Sequence, residues 1–398
     1  MQVVIMGLGY IGLPTAALMA GKGMHIHGVD TNPNVVETIN KGQIHIIEPE
    51  LEGLVHYGVQ QKLLKASSAP VQADVYLVAV PTPFKDDHKP DISYVESAAK
   101  MVAPFLRENS LFIIESTSPV GTTEKIAELL LSIRPDLNEK IFIAYCPERV
   151  LPGNVIHELQ YNDRVIGGID NASTEKAVSF YEKFTKGNLH KTNARTAEMC
   201  KLVENAYRDV NIAFANELSI ISDKAGIDVN ELINLASKHP RVKILKPGPG
   251  VGGHCIAVDP WFLVSDFPDE TKMIRMARET NNYKTNWVFE KIIAKTEQLR
   301  KELNRKPILA CMGLTYKSDI DDVRESPAMS IYHKLLEVNC TVIAVEPHVK
   351  STDKLVLTDA REAIKKADLL VYLVAHKVFK SLPKSKQQET LDFCGALS

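Results

Sequence analysis

Gln2-Val3-Val4-Ile5-Met6-Gly7-Leu8-Gly9-Tyr10-Ile11-Gly12 opens the chain with a short β-rich run that leads directly into G-x-G-x-x-G. Ala16–Lys22 beyond it reads as helix and His25–Val29 as a second strand, closed by Asp30, 18 residues after Gly12. In this order the elements have mechanical meaning. Gly7, Gly9 and Gly12 allow a tight turn and a close approach of backbone to a pyrophosphate, whose charge then faces the helix N-terminus. A carboxylate at Asp30 accepts hydrogen bonds from a ribose diol and repels a 2′-phosphate, so the expected dinucleotide is NAD rather than NADP.

Outward from that turn, Val75–Val80, Leu111–Ile114 and Ile141–Ala144 are further short apolar runs with helical stretches between them. Alternating strands and helices predict a parallel sheet covered on both faces. The ligand crevice of such a sheet lies at the carboxyl ends of its strands. Those ends carry Pro81-Thr82-Pro83 and Ser116-Thr117-Ser118-Pro119-Val120-Gly121-Thr122-Thr123. Their hydroxyls are candidates for cofactor or water contacts, although taken singly such residues serve equally as helix caps.

Near Thr192 the pattern changes. Ala194–Ala225 lacks proline and glycine and carries Met199, Leu202, Val203, Ala206, Val210, Ala213, Phe214, Leu218 and Ile221 at helical spacing, which predicts one long helix. Val229–Ser237 and Thr271–Leu303 continue a helical middle. Strands return at Ile308–Met312, Thr341–Val345 and Leu369–Val374, separated by helices at Ala328–Val338 and Asp359–Lys366. The expected fold is α/β: two Rossmann-like doubly wound parallel-sheet domains, 1–190 and 305–398, joined by a helical domain over 191–304 with the long helix as its spine.

At 398 residues, 45% apolar and 24% charged, the composition is that of a soluble globular protein. A net charge of −2 supplies no global field toward nucleic acid or a membrane surface, so an anionic ligand must be met by local cations. The six cysteines (Cys146, Cys200, Cys255, Cys311, Cys340 and Cys394) show neither CxxC pairs nor metal-ligand spacing, which suggests reduced thiols and no metal site. Met1-Gln2 runs straight into a strand without a leader or an apolar run near 18 residues, so a cytoplasmic location is expected.

The chemistry concentrates in Pro247-Gly248-Pro249-Gly250-Val251-Gly252-Gly253-His254-Cys255-Ile256-Ala257-Val258-Asp259-Pro260, which sets one cysteine at the end of a glycine-rich loop and a carboxylate four residues later. The glycines leave little side-chain bulk, so a ligand has room to touch backbone and thiol together. Such a thiol is either a nucleophile or a small core residue beside a turn. On the long helix, Lys201, Asn205 and Arg208 share one face at i, i+4 and i+7, suited to an oxyanion or a sugar hydroxyl and equally to a solvated surface, with Glu198 and Glu204 near enough to pair with the cations. Further cations border candidate loops in Cys146-Pro147-Glu148-Arg149-Val150, His239-Pro240-Arg241, Tyr316-Lys317-Ser318-Asp319 and Asp321-Asp322-Val323-Arg324, as a diphosphate ligand would require.

Together these motifs resemble the UDP-glucose/GDP-mannose dehydrogenase family of nucleotide-sugar 6-dehydrogenases, from Gly7 to about Gly395. The strings Val80–Lys85, Arg195–Lys201, His239–Val242 and Val258–Phe262 resemble most the bacterial branch whose substrate is UDP-N-acetyl-D-mannosamine, which serves surface polysaccharides such as enterobacterial common antigen. UDP-N-acetylglucosamine differs only in configuration at carbon two and is the alternative UDP-N-acetylhexosamine. The resemblance implies a four-electron oxidation of a primary alcohol to a carboxylate by NAD. In that scheme Cys255 forms a thiohemiacetal and then a thioester. Lys201, with Asn205, stabilises the oxyanion; Asp259 and Thr117 hold water, and Glu148 is an acid/base group.

By the same resemblance Arg149, Val150, Lys201, Asn205, Arg208, His239, Arg241, Gly252, Tyr316 and Lys317 line the nucleotide-sugar site. Tyr10, Ile11, Asp30, Thr82, Thr123 and Arg324 meet NAD alongside the fingerprint glycines. The long helix is expected to form a homodimer interface. The ending Asp392-Phe393-Cys394-Gly395 keeps the family spacing for an edge strand, and the residues after it differ from the usual ending. Two other classes fit parts of the chain. A two-electron β-hydroxyacid dehydrogenase shares the first domain and a Lys-x-x-x-Asn pair but lacks the cysteine loop and the second α/β domain. A non-catalytic NAD or nucleotide-sugar sensor requires the loss of groups that are all present.

Overall fold

The computed structural model describes residues 1–85, 88–151, 153–382 and 388–397. The chain forms two compact units, Met1–Glu204 and Asn205–Ser398.

The first unit runs β1 (Gln2–Met6), α1 (Gly12–Gly21), β2 (His25–Val29), α2 (Pro33–Asn40), α3 (Leu51–Gln60), β3 (Leu64–Ser67), β4 (Val75–Val78), α4 (Ser93–Val102), β5 (Leu111–Ile114), α5 (Thr122–Ile133), β6 (Phe142–Tyr145), α6 (Val155–Tyr161), β7 (Arg164–Gly168), α7 (Asn171–Tyr181) and β8 (Leu189–Asn193). Its eight strands form one sheet in the order β3-β2-β1-β4-β5-β6-β7-β8. β1 lies between β2 and β4, with Met6 opposite Val29 and Val78, so the glycine turn and the loops after β2 and β4 emerge at one edge. Strand side chains alternate between two buried layers: Val3 and Ile5 pack with Leu13, Met19 and Ile113, whereas Val4 and Met6 pack with Tyr76, Phe112 and Ile114. A strand buried on both faces must be apolar at every position, which is why these runs read so plainly.

The sheet is not parallel throughout, because β7 pairs antiparallel with β6, placing Gly168 opposite Ala144. Neither β7 nor β8 reads as a strand from its residues. Arg164-Val165-Ile166-Gly167-Gly168 opens on a charge and ends on two glycines, and Leu189-His190-Lys191-Thr192-Asn193 is polar and half exposed at the sheet edge. β3, Leu64-Lys65-Ala66-Ser67, is equally weak in β-branched residues. Val75–Val80 and Leu369–Val374 are shorter strands than their apolar runs suggest, and the first helix begins at Gly12 rather than Ala16.

α8 spans Ala194–Ala225 without interruption, and the boundary of the units falls within it, after Glu204. The second unit continues with α9 (Val229–Ala236), α10 (Asp259–Asp266), α11 (Lys272–Leu303), β9 (Ile308–Met312), α12 (Pro327–Leu336), β10 (Thr341–Val345), α13 (Ala360–Lys366), β11 (Leu369–Tyr372) and the edge strand β12 (Glu389–Asp392). Four parallel strands are ordered β10-β9-β11-β12. On one face Leu309 and Cys311 meet Val288, Ile292 and Leu299 of α11, and on the other Ala310 and Met312 meet Ile364 and Phe379. Among the described residues no helix is long and apolar enough to cross a membrane.

Candidate active site

The fingerprint turn is built from close approaches. Gly7 donates its N–H to Val29 O at 2.8 Å, and a Cβ on Gly12 would lie 1.8 Å from the Gly7 carbonyl oxygen. Gly7 and Gly12 are therefore required by the turn itself. Gly9 is different, because a Cβ there would meet no atom of the chain within 4 Å, so it clears space on the outer side of the turn, as a pyrophosphate needs. Asp30 stands at the end of β2 with Oδ2 accepting the Leu8 N–H at 3.0 Å and Oδ1 accepting that of Asn32 at 2.9 Å. The carboxylate is thereby fixed beside the turn, where a ribose diol would lie. Tyr10 is exposed, and Ile11 and Thr82 are half-buried. The residues present fit an NAD site.

Ser116 Oγ donates to Val80 O at 2.7 Å and ties the loop after β5 to the Pro-Thr-Pro loop after β4. Thr117 beside it is half-buried. Thr123 is fully buried, and its amide and hydroxyl both donate to Glu198 Oε1, at 2.7 and 2.6 Å. Glu198 Oε2 also accepts the Gly121 N–H at 2.6 Å. Glu198 therefore caps α5 and pairs with none of the cations named above. Burial pushes its carboxyl upward, against the hydrogen bonds from Thr123 and Gly121.

Glu148 lies in the Cys-Pro-Glu-Arg turn after β6 and is nearly buried. Lys201 Nζ donates to the Glu148 backbone carbonyl at 2.7 Å. Glu148 Oε1 accepts the Arg149 N–H at 2.7 Å, and Oε2 accepts from Arg164 Nη2 at 3.2 Å. Arg149 turns its guanidinium to Glu204, with Nη2 2.8 Å from Oε1, and donates to Asp163 O at 3.2 Å, while Val150 is half-buried. Glu204, one of the two carboxylates flanking the basic helix face, thus pairs with Arg149.

In the second unit Cys255 is exposed at the end of the glycine loop. Its carbonyl accepts the amides of Val258 and Asp259, at 3.1 and 2.8 Å, which folds the chain into α10 directly after the thiol. Asp259 is buried at the first turn of α10, and Asn205 Nδ2 donates to its Oδ2 at 2.5 Å. The glycines have an internal reason as well as the expected external one. A Cβ on Gly252 would lie 2.3 Å from Glu325 O, and one on Gly253, at φ +82°, would lie 2.8 Å from the Tyr316 ring. The loop is pressed against Tyr316 and the segment after β9.

Burial pushes the Tyr316 phenol upward, the charges of Asp322 and Cys255 act the same way, and those of Arg324 and Arg208 oppose them. These predicted residues are therefore brought into one electrostatic neighbourhood. Arg324 is held over Asp322, Nη2 to Oδ2, at 2.6 Å. Lys317, His239 and Arg241 are exposed.

Sequence reasoning misses what braces the Tyr316–Asp319 loop. His376 Nδ1 accepts the Asp319 amide at 2.9 Å, leaving its Nε2 proton for Glu346, 3.0 Å away. Glu346 also accepts the amides of Leu314 and Thr315. Asp319, His348 and His376 present ligand-type atoms within 4.8 Å of one another, but both ring nitrogens of His376 are already engaged in holding the loop. The other omissions are Glu115, Arg164 and Tyr181, buried around Glu148. A charge beside a short apolar run, as in Ile114-Glu115 and Arg164-Val165, does not by itself tell a buried ionisable group from a surface one.

Three family descriptions match consecutive parts of the chain: the NAD binding domain of the UDP-glucose/GDP-mannose dehydrogenase family over residues 1–185, its central domain over 195–283 and its UDP binding domain over 310–395. The UDP-N-acetyl-D-mannosamine dehydrogenase of Escherichia coli (strain K12) is 51% identical over 94% of this chain and 94% of its own. The NDP-N-acetyl-D-galactosaminuronic acid dehydrogenase of Ralstonia nicotianae is 48% identical over 96% of this chain and 93% of its own. The solved UDP-D-ManNAc dehydrogenase of Pyrococcus horikoshii superposes with a TM-score of 0.91 at 37% identity, covering 100% of this chain and 96% of that one. The protein belongs to the UDP-glucose/GDP-mannose dehydrogenase family and is an NAD-dependent nucleotide-sugar dehydrogenase.

Proposed function

We propose that the protein oxidises carbon six of UDP-N-acetyl-D-mannosamine from alcohol to carboxylate, giving UDP-N-acetyl-D-mannosaminuronate for surface polysaccharides such as enterobacterial common antigen. The observation that carries the chemistry is Cys255, exposed, with its carbonyl bonded to the amide of buried Asp259 at the head of α10. A two-electron dehydrogenase has no use for that thiol. Oxidation beyond the aldehyde requires a tetrahedral adduct with a hydrogen to give up, and a thiolate supplies it.

NAD⁺, when bound, accepts a hydride in each of the two oxidations. The Cys255 sulfur adds to the aldehyde carbon and its oxygen takes up a proton, giving a thiohemiacetal; loss of hydride and of the hydroxyl proton leaves a thioester. Water then adds to the thioester carbon, the carbon–sulfur bond breaks, and the thiol is restored with the carboxylate. Asp259, oriented by Asn205, and Thr117 are assigned to the water. Lys201 is assigned to the oxyanion, with Asn205, and Glu148 to proton transfer. Arg149, Val150, Arg208, His239, Arg241, Gly252, Tyr316 and Lys317 are assigned to the nucleotide sugar, and Tyr10, Ile11, Asp30, Thr82, Thr123 and Arg324 to NAD.

The domain division 1–190, 191–304 and 305–398, a cytoplasmic location and a homodimer belong to the same proposal. The homodimer is supported by Val203, Tyr207, Phe214 and Ile221, which remain exposed along α8. A substrate panel read by NADH release tests the assignment. Preference for UDP-N-acetyl-D-mannosamine over UDP-N-acetylglucosamine and the galacto epimer supports it. Preference for UDP-glucose or GDP-mannose contradicts it, and binding of NAD⁺ and UDP-sugar without NADH formation from any of them points to a sensor.

A further inference from the structure

Arg164 is the first residue of β7 and is 3% exposed. Its guanidinium is met by groups from around β5, β6, α6 and α7. Nη2 donates to Glu148 Oε2 at 3.2 Å and to Leu159 O of α6 at 3.3 Å. Nη1 lies 3.8 Å from Glu115 Oε1, beyond the end of β5, and 3.8 Å from Cys146 Sγ, just after β6. The ring of Tyr181, on α7, lies 4.9 Å from the guanidinium carbon, and its hydroxyl donates to Glu115 Oε1 at 2.7 Å. Among the described residues Glu115 Oε2 and Arg164 Nε have no hydrogen-bond partner.

One cation therefore serves two buried carboxylates. Both ionised, the group carries a net negative charge that burial disfavours; with Glu115 protonated it is neutral, and Arg164 belongs to Glu148 alone. Burial raises Glu115 to about 7, against the attraction of Arg164 and with Glu148 repelling in the same sense as burial. Burial also pushes Cys146 up to about 12 and Tyr181 well above its ordinary range, so near neutral pH the thiol and phenol remain neutral. Glu115 is then a group of this cluster whose charge changes near neutral pH.

We propose that Arg164 is the positioning residue for Glu148, holding its carboxylate in one orientation for proton transfer, and that Glu115, backed by Tyr181, is the competing carboxylate that sets how much of the guanidinium Glu148 receives. The inference rests on the catalytic assignment of Glu148 made above. Arg164 touches neither nucleotide in this account, so its loss acts on turnover rather than on binding.

The test measures kcat, both KM values and the pH dependence of kcat for Arg164→Lys, Arg164→Met, Glu115→Gln and Glu148→Gln, each checked for wild-type circular dichroism. The account predicts kcat down by about tenfold or more in Arg164→Met with both KM values within about twofold, and partial recovery in Arg164→Lys. It also predicts that Glu115→Gln flattens the change of kcat across neutral pH. Should Arg164→Met not fold, Arg164→Lys and Glu115→Gln carry the same test through the pH profile. A wild-type pH profile in both, or kcat unchanged in a folded Arg164→Met, overturns the inference while an impaired Glu148→Gln leaves the catalytic assignment standing. A fully active Glu148→Gln overturns both.

Discussion

Asn205 Nδ2 donates to Asp259 Oδ2 at 2.5 Å, joining the middle of α8 to the first turn of α10 across 54 residues of sequence. The bond holds a buried carboxylate four residues beyond Cys255, the group proposed above to manage the water that hydrolyses the thioester. Asn205→Ala leaves that carboxylate without this donor. We expect a loss of about 1–3 kcal/mol in unfolding free energy. Uronate formation should fall by about 10²-fold or more. Denaturant unfolding and product formation measured on the same variant check the two effects, and NAD⁺ affinity should stay within about twofold of wild type.

Gly253 faces the Tyr316 ring at φ +82°, with room for no side chain. Gly253→Ala is strained by its backbone and clashes with the ring, so both the thiol loop and Tyr316 must shift. The expected result is a fall in kcat/KM of about tenfold or more, with a lower melting temperature. Gly253→Ala combined with Tyr316→Ala should relieve the clash and recover part of the melting temperature, with the backbone strain remaining, and should not recover activity.

Asp30 is fixed beside the fingerprint turn by the amides of Leu8 and Asn32. Asp30→Ser removes the charge that repels a 2′-phosphate. The ratio of kcat/KM for NAD⁺ over NADP⁺ should fall by about tenfold or more, mainly through a weaker KM for NAD⁺ and a stronger one for NADP⁺.

Lys284 of α11 is buried, with Nζ donating to Ser219 Oγ at 2.7 Å and lying 3.8 Å from the Trp287 ring centre. Burial lowers it from 10.5 to about 7, with Asp223 opposing and Lys291 assisting. Below about 7 both folded and unfolded states hold the proton, and the folded state bears the cost of burying it. Between 7 and 10.5 the unfolded chain binds more protons, so this residue makes stability rise with pH, and above 10.5 its cost is gone. Lys284→Met should raise stability at pH 7 by about 1–4 kcal/mol, with the gain shrinking as pH approaches 10. Thermal unfolding at the two pH values checks the slope.

The strands and the fingerprint were legible because burial on both faces demands uninterrupted apolar residues, as in Gln2–Met6 and Leu111–Ile114. β7 and β8 were not, since Arg164 and the polar run Leu189–Asn193 carry no such pattern. The thiol, Asp259 and Asn205 were legible as residues, but the Asn205–Asp259 bond was not, because a helix face does not reveal which loop folds onto it. Arg164 and Glu115 were invisible for the same reason: a single charge beside an apolar strand reads as surface until tertiary structure brings β5, β7 and α7 together around it. The glycines before Cys255 were read for the space they leave a ligand, and the close approach of Tyr316 gives them a second role that only the fold discloses.

Cys255 makes four-electron oxidation the central claim, and counting electrons tests it most directly. A limiting, weighed amount of UDP-N-acetyl-D-mannosamine is exhausted with excess NAD⁺ while NADH is quantified by absorbance. The account predicts two NADH per sugar nucleotide, with the uronate as product. One NADH per sugar, with aldehyde accumulating in free solution, would contradict it.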